Sequence, residues 1–220
     1  MPQPYPAHLF PEITVDTAAA LEQRTECVAR GMAAIAQHSM AESMVSNVLT
    51  AMLHADPGPA AAIYGTIRNG KLQRDALMAV ADELLPEDDR KLFDKVLGLL
   101  QSSARGRDQL AHSLWAVDPK FAEAVILVRP DQMWRFSAEE QRLNGKGGPT
   151  LEEAEKMQQD MRAACTVWNV QDMLDVRTRG VRAFAGLIAF GQLLKSKSEV
   201  EAAESRQTLD NLFVQASART

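Results

Sequence analysis

Aromatic residues make up only 5% of this 220-residue chain, and there are just two cysteines. Cys27 and Cys165 form neither a disulfide framework nor a zinc-ligand spacing, so reduced thiols in a cytoplasmic protein are expected. No hydrophobic run is long enough to cross a bilayer. The most apolar stretch, Ala183 to Leu194, is too short and contains Gln192, so no membrane association is expected. The start, Met1-Pro2-Gln3-Pro4-Tyr5-Pro6, lacks a basic head and an apolar run, so no signal peptide is expected. An excess of positive charge is missing too. The formal net charge is −5, which excludes a protein that coats nucleic acid over its whole surface. Any polyanion partner must use a local patch.

What is abundant is Ala, Leu and Met, and 46% of the chain is hydrophobic. These are strong helix formers, whereas the aromatic strand formers are rare. The composition predicts an all-α protein with a real core. The pattern along the chain divides it into an irregular arm over 1–15, a single helical domain over 16–195, and a polar C-terminal helix or tail over 196–220. Asp16 is a helix N-cap, and the stretch from Thr17 to His54 is helix-compatible, with Gly31 as a possible kink. Within it Met32, Ile35, Met40, Met44, Val48 and Met52 form an apolar stripe, the methionines reading as core filler. Asp56-Pro57-Gly58-Pro59 breaks the chain. A second helix is expected from about Ala60 to Leu85, with Ile63, Ile67, Leu72, Leu77 and Val80 facing inward and Asn69-Gly70 as its weak point. Pro86 starts a third, whose first turn holds Glu87, Asp88 and Asp89 and whose pattern could run on to Trp115. Ala122 to Val128 is β-like, and Met133 to Phe136 can pair back across Arg129-Pro130-Asp131-Gln132 as a small hairpin. Thr150-Leu151-Glu152-Glu153 is a capping box that opens a long helix to about Leu194. The expected fold is an up-and-down bundle of about four to six helices with a β-hairpin insertion near residues 122–136.

One stretch carries credible chemistry: Arg107-Asp108-Gln109-Leu110-Ala111-His112. On a helix, Asp108 and His112 are four apart and share a face, so the carboxylate can orient the imidazole. Arg107 and His112 are five apart, an offset of about 140°, and meet only if the helix kinks or the arginine curls round. An imidazole can take a proton from a ribose 2′-hydroxyl, and a guanidinium can grip a phosphate at two points. Together they suffice for metal-free RNA cleavage to a 2′,3′-cyclic phosphate. Between residues 90 and 129 there are seven Lys or Arg against four Asp or Glu, a net of +3 in an acidic chain. That local excess suits phosphate binding.

The run Ser103 to Trp115, with Arg107-Asp108 and His112 at its centre, resembles the signature of HEPN domains (higher eukaryotes and prokaryotes nucleotide-binding) of bacterial type. Lys71-Leu72-Gln73-Arg74 in the preceding helix is similar as well. The resemblance covers roughly residues 30–195, and only the six-residue motif is specific. It implies a helical bundle and frequent homodimers in which two motifs face one cleft. It also implies, in many members, metal-independent endoribonuclease activity with no cofactor. Other members bind RNA or nucleotides without cleavage, and an antitoxin-type protein partner is a common arrangement. The chain has Asp108 where many active members have Asn, and Gly106 directly before the arginine.

Each of these residues also has a plainer reading. Arg107 and His112 can be a surface ion pair and a satisfied core histidine. Asp108 can serve only as a local cap or pair. Arg105 can touch phosphate or stay solvated. Trp115 can stack a base, although an indole in that place more often packs. The chain therefore reads as an endoribonuclease, with a nucleotide-binding module or a structural helical dimer as the alternatives. His38 with Glu42, and His54 near Asp56, read as structural rather than as metal ligands, and no metal is expected. Gly145-Lys146-Gly147-Gly148 lacks the setting of a phosphate loop and reads as flexible.

Overall fold

The computed structural model describes residues 2–9 and 13–217. The fold is predominantly all-α. In chain order the elements are β1 (Gln3–Pro4), α1 (Thr17–Gln23), α2 (Thr25–Leu53), α3 (Pro57–Thr66), α4 (Gly70–Leu84), α5 (Glu87–His112), β2 (Leu114–Ala116), β3 (Ala124–Val128), α6 (Pro130–Asn144), α7 (Leu151–Ala164), β4 (Cys165–Asn169), α8 (Val170–Lys195) and α9 (Glu199–Ser217). The nine helices among the described residues exceed the expected four to six because three long helical segments are interrupted and α6 stands where a hairpin strand was expected. Asp16 does cap α1, accepting from the amides of Ala18 and Ala19. Asn69 starts a fresh helix, its side chain accepting from the amides of Lys71 and Leu72. Replacing Asn69 with Ala should lower stability by about 1 kcal/mol, read as a lower denaturation midpoint. An unchanged midpoint would show that α4 needs no cap.

Contacts divide the chain into two compact units, Met1–Ile35 with Gly106–Val176 and Ala36–Arg105 with Arg177–Thr220. The second unit is helical. Its core joins Val45, Val48 and Met52 of α2 with Leu77 of α4, Phe93 and Val96 of α5, Leu187 and Phe190 of α8, and Leu209 of α9. The Phe93 and Phe190 rings stack with centroids 5.0 Å apart. Several expected core positions face solvent instead. Met40, Ile63 and Leu72 are exposed, as is Met32 of the first unit. The break between α3 and α4 resets the helical phase, so a stripe drawn through both cannot hold.

The first unit holds a four-stranded antiparallel sheet in the order β1-β4-β3-β2. Strand β3, Ala-Val-Ile-Leu-Val, is buried along its whole length. Its side chains alternate between two cores. Val125 and Leu127 join Trp115, Trp168, Met173 and Val28 on one side. Ile126 and Val128 join Tyr5, Ala116 and Cys165 on the other. The expected hairpin is corrected here. The β-like run around 124–128 is a strand, but it pairs with β2 and β4. Met133 to Phe136 lies in α6. Pro130 at the first helical position and Asp131 in the first turn are start signals for that helix. The capping box at Thr150 forms as expected. The helix it opens stops at Ala164, and Cys165-Thr166-Val167-Trp168-Asn169 is a strand.

Gly31 does not break α2, which runs through it. A Cβ at this position would sit 2.6 Å from Cη2 of Trp115 and 3.3 Å from the Met173 sulfur. The missing side chain leaves room for the indole. That is a packing reason, and it justifies a residue that is otherwise a poor helix former.

Candidate active site

Strand pairing in the first unit builds the site. Helix α5 ends at His112, and β2 follows almost at once. Leu114 of β2 pairs with Val128 of β3, and Val128 pairs in turn with Cys165 of β4. This register brings three chain segments to one end of the sheet: the last turns of α5, the Arg129-Pro130-Asp131 start of α6, and the junction of α7 with β4. A cleft of about 480 Å³ opens there. Asp108 and His112 line it together with Arg129, Asp131 and Thr166.

Asp108 and His112 therefore share a face, as their spacing predicts. They do not share a hydrogen bond. The Asp108 carboxylate instead accepts from the Arg107 guanidinium at 2.9 Å. The His112 ring is exposed and makes no hydrogen bond among the described residues. The adjacent guanidinium holds the carboxylate in a charge-assisted bond, so the expected orientation of His112 by Asp108 is absent. Arg107 is about a quarter exposed and is not among the residues lining the cleft. Its five-residue offset from His112 leaves it on the neighbouring face.

Two further expected residues take other places. Trp115 lies in β2 and is 8% exposed, and its indole N–H donates to the Leu110 carbonyl at 2.9 Å. Its indole is packed in the core with Val125, Leu127, Trp168 and Met173, which leaves little of it open to a base. Arg105 is exposed and belongs to the second unit. In that unit His38 is buried, with Nδ1 3.0 Å from the Ser103 hydroxyl.

Sequence reasoning missed Arg129 and Asp131. Arg129 donates Nε to one Asp131 oxygen at 3.3 Å and Nη2 to the other at 2.9 Å. The Gln132 amide adds a third bond to that carboxylate at 3.0 Å. Desolvation raises the Asp131 pKa, but these hydrogen bonds and the Arg129 charge outweigh it and hold the carboxyl below its ordinary value. The signal was present as a lone arginine directly after a buried strand. Reading 129–132 as a turn hid it.

Both thiols are buried. Burial and then the Asp118 charge push the Cys165 thiol up to about 12, and burial raises that of Cys27. Neither should react with a disulfide reagent at neutral pH in the folded protein, while both should after denaturation. Fast labelling of either would place it at the surface. The sign for stability follows from the raised values. The Cys165 thiol contributes fully below its ordinary value of 9.0, and that contribution is lost as pH rises from there toward about 12.

Among the described residues, no helix is long and apolar enough to cross a membrane. No family model, curated protein or solved structure matches the chain.

Proposed function

We propose that the chain is a HEPN-like, metal-independent endoribonuclease acting at the His112 cleft. The observation that carries this reading is the placement of an exposed, uncommitted imidazole in a cleft beside a guanidinium. In the proposed reaction His112 takes the proton of a ribose 2′-hydroxyl. The 2′-oxygen bonds to phosphorus, and the bond from phosphorus to the 5′-oxygen breaks. That oxygen leaves with a proton, so the products are a 2′,3′-cyclic phosphate and a 5′-hydroxyl. Asp108, tied to Arg107, lines the same cleft as the imidazole and in this reading offers a carboxylate with which an imidazolium formed in the transition state can pair. A homodimer, in which a second copy brings its own Arg107 toward this cleft, is part of the proposal, as is an antitoxin-type partner.

The test is incubation of the full chain with RNA, with and without a chelator. Cleavage that persists under chelation and leaves cyclic phosphate ends is expected. No cleavage in either arm overturns the catalytic reading.

A second reading is a cleft that holds a nucleotide or RNA end without cutting it. It is favoured by the position of Arg107 outside the cleft lining. Binding lost in Arg129→Ala but kept in His112→Ala, with no cleavage by the wild type or either variant, would support it.

A further inference from the structure

We infer that Arg129, and not Arg107 of the same copy, is the phosphate-holding group of the cleft, and that Asp131 occupies it until a phosphate arrives. The inference rests on the proposed RNA-directed reading for its ligand class, a phosphomonoester or phosphodiester. Three observations carry it. Arg129 and His112 line the same cleft, whereas Arg107 does not. The Arg129 side chain is 63% exposed, so an incoming anion can reach it. Asp131 grips Arg129 through two nitrogens, Nε and Nη2, one to each carboxylate oxygen. That two-pronged geometry is the one by which a guanidinium takes a phosphate. The carboxylate therefore stands in for the ligand.

Charge decides what this arrangement does. The cleft lining holds one permanent cation, Arg129, against two carboxylates, Asp108 and Asp131, and the Arg107 guanidinium outside the lining is held on Asp108. An anion entering it meets no net attraction until Arg129 turns away from Asp131. The pair is solvent-exposed on both sides, and exposed pairs are weak and screened by salt. A phosphate can therefore exchange with Asp131, but binding is held back by the competition. The local cation excess read from the sequence is partly cancelled where it would matter most. Asp131 thus limits affinity and sets selectivity, since a singly charged carboxylate ligand would gain nothing over the one already there.

The experiment measures binding by the full chain of two probes, inorganic phosphate and a nucleoside 3′-monophosphate, by titration calorimetry at low and moderate salt. Asp131→Asn keeps the shape and removes the competing charge, and it should bind both probes roughly three- to tenfold more tightly. Arg129→Ala should lose most of the binding, and Arg129→Lys should recover only part of it, because an ammonium lacks the fork. Unchanged affinity in Arg129→Ala, or no gain in Asp131→Asn, overturns the inference. Both side chains are exposed, and circular dichroism checks that the variants remain folded. The readout is binding, so it does not depend on whether RNA is cut. Failure to cleave would remove the proposed reaction and leave this result standing, and the reverse also holds.

Discussion

Changing His112 to Ala should abolish RNA cleavage while leaving the fold as it is. General acid–base catalysis by a positioned imidazole supplies about 10²- to 10⁴-fold in rate, and the loss should fall in that range. Stability should stay within about 0.5 kcal/mol of wild type, as for other surface changes. The reason is positional. His112 is the last residue of α5, its ring is exposed, and it belongs to none of the hydrophobic clusters. The same substitution separates the rival readings. A catalytic imidazole predicts lost turnover with nucleotide affinity kept. A structural or dimer-forming role predicts lost assembly or a lower melting temperature. Thermal denaturation and size-exclusion measurements beside the RNA assay read all three. Full cleavage by a folded His112→Ala protein would end the catalytic assignment. Arg107→Ala is the companion variant. It frees the Asp108 carboxylate from its 2.9 Å partner and places that charge at the disposal of His112. If Arg107 acts only by holding Asp108, cleavage should fall only slightly. If it meets the phosphate from a second copy, the loss should approach that of His112→Ala.

Local rules made much of this legible, and distant pairings made the rest obscure. The Asp108 and His112 spacing put both on one helix face, and both line the cleft. Asp16, Thr150 and the acidic first turn of α5 all mark helix starts where expected. The largest miss was β4. Its Cys-Thr-Val-Trp-Asn run is short and sits between two helices, so helical periodicity on both sides carried the reading across it. The clue was at its end. Asn169 and Asp172 exchange reciprocal side-chain to backbone bonds of 3.1 and 3.0 Å, the pattern of a new helix start inside an apparently continuous one. The hairpin failed for a different reason. β3 finds its partners in β2 and β4, and α6 and α7 intervene before β4. No local turn chemistry reports a pairing across two helices. Arg129 became visible as a site residue only once that register was known.

The packing around Trp115 yields the largest stability effects. Trp115→Ala should cost about 3–5 kcal/mol, the range for removing a large buried aromatic, and should expose an unpaired Leu110 carbonyl that the indole N–H now satisfies. If the indole served to stack a base instead, the same variant would keep its stability and lose only RNA affinity. Denaturation midpoints against binding therefore decide between the two. Gly31→Ala tests the other side of the contact. Its new methyl would meet Cη2 of Trp115 at 2.6 Å, a distance that forces a rigid, enclosed ring to shift. Overpacking of this kind costs about 1–3 kcal/mol, which outweighs the gain of roughly 0.5–1 kcal/mol that alanine brings to a helix interior. Combining Gly31→Ala with Trp115→Phe removes the part of the ring that collides. The Gly31 penalty should shrink or change sign in that background, a coupling that independent sites would not show. Additive costs in the double variant would mean that Gly31 is kept for something other than the indole.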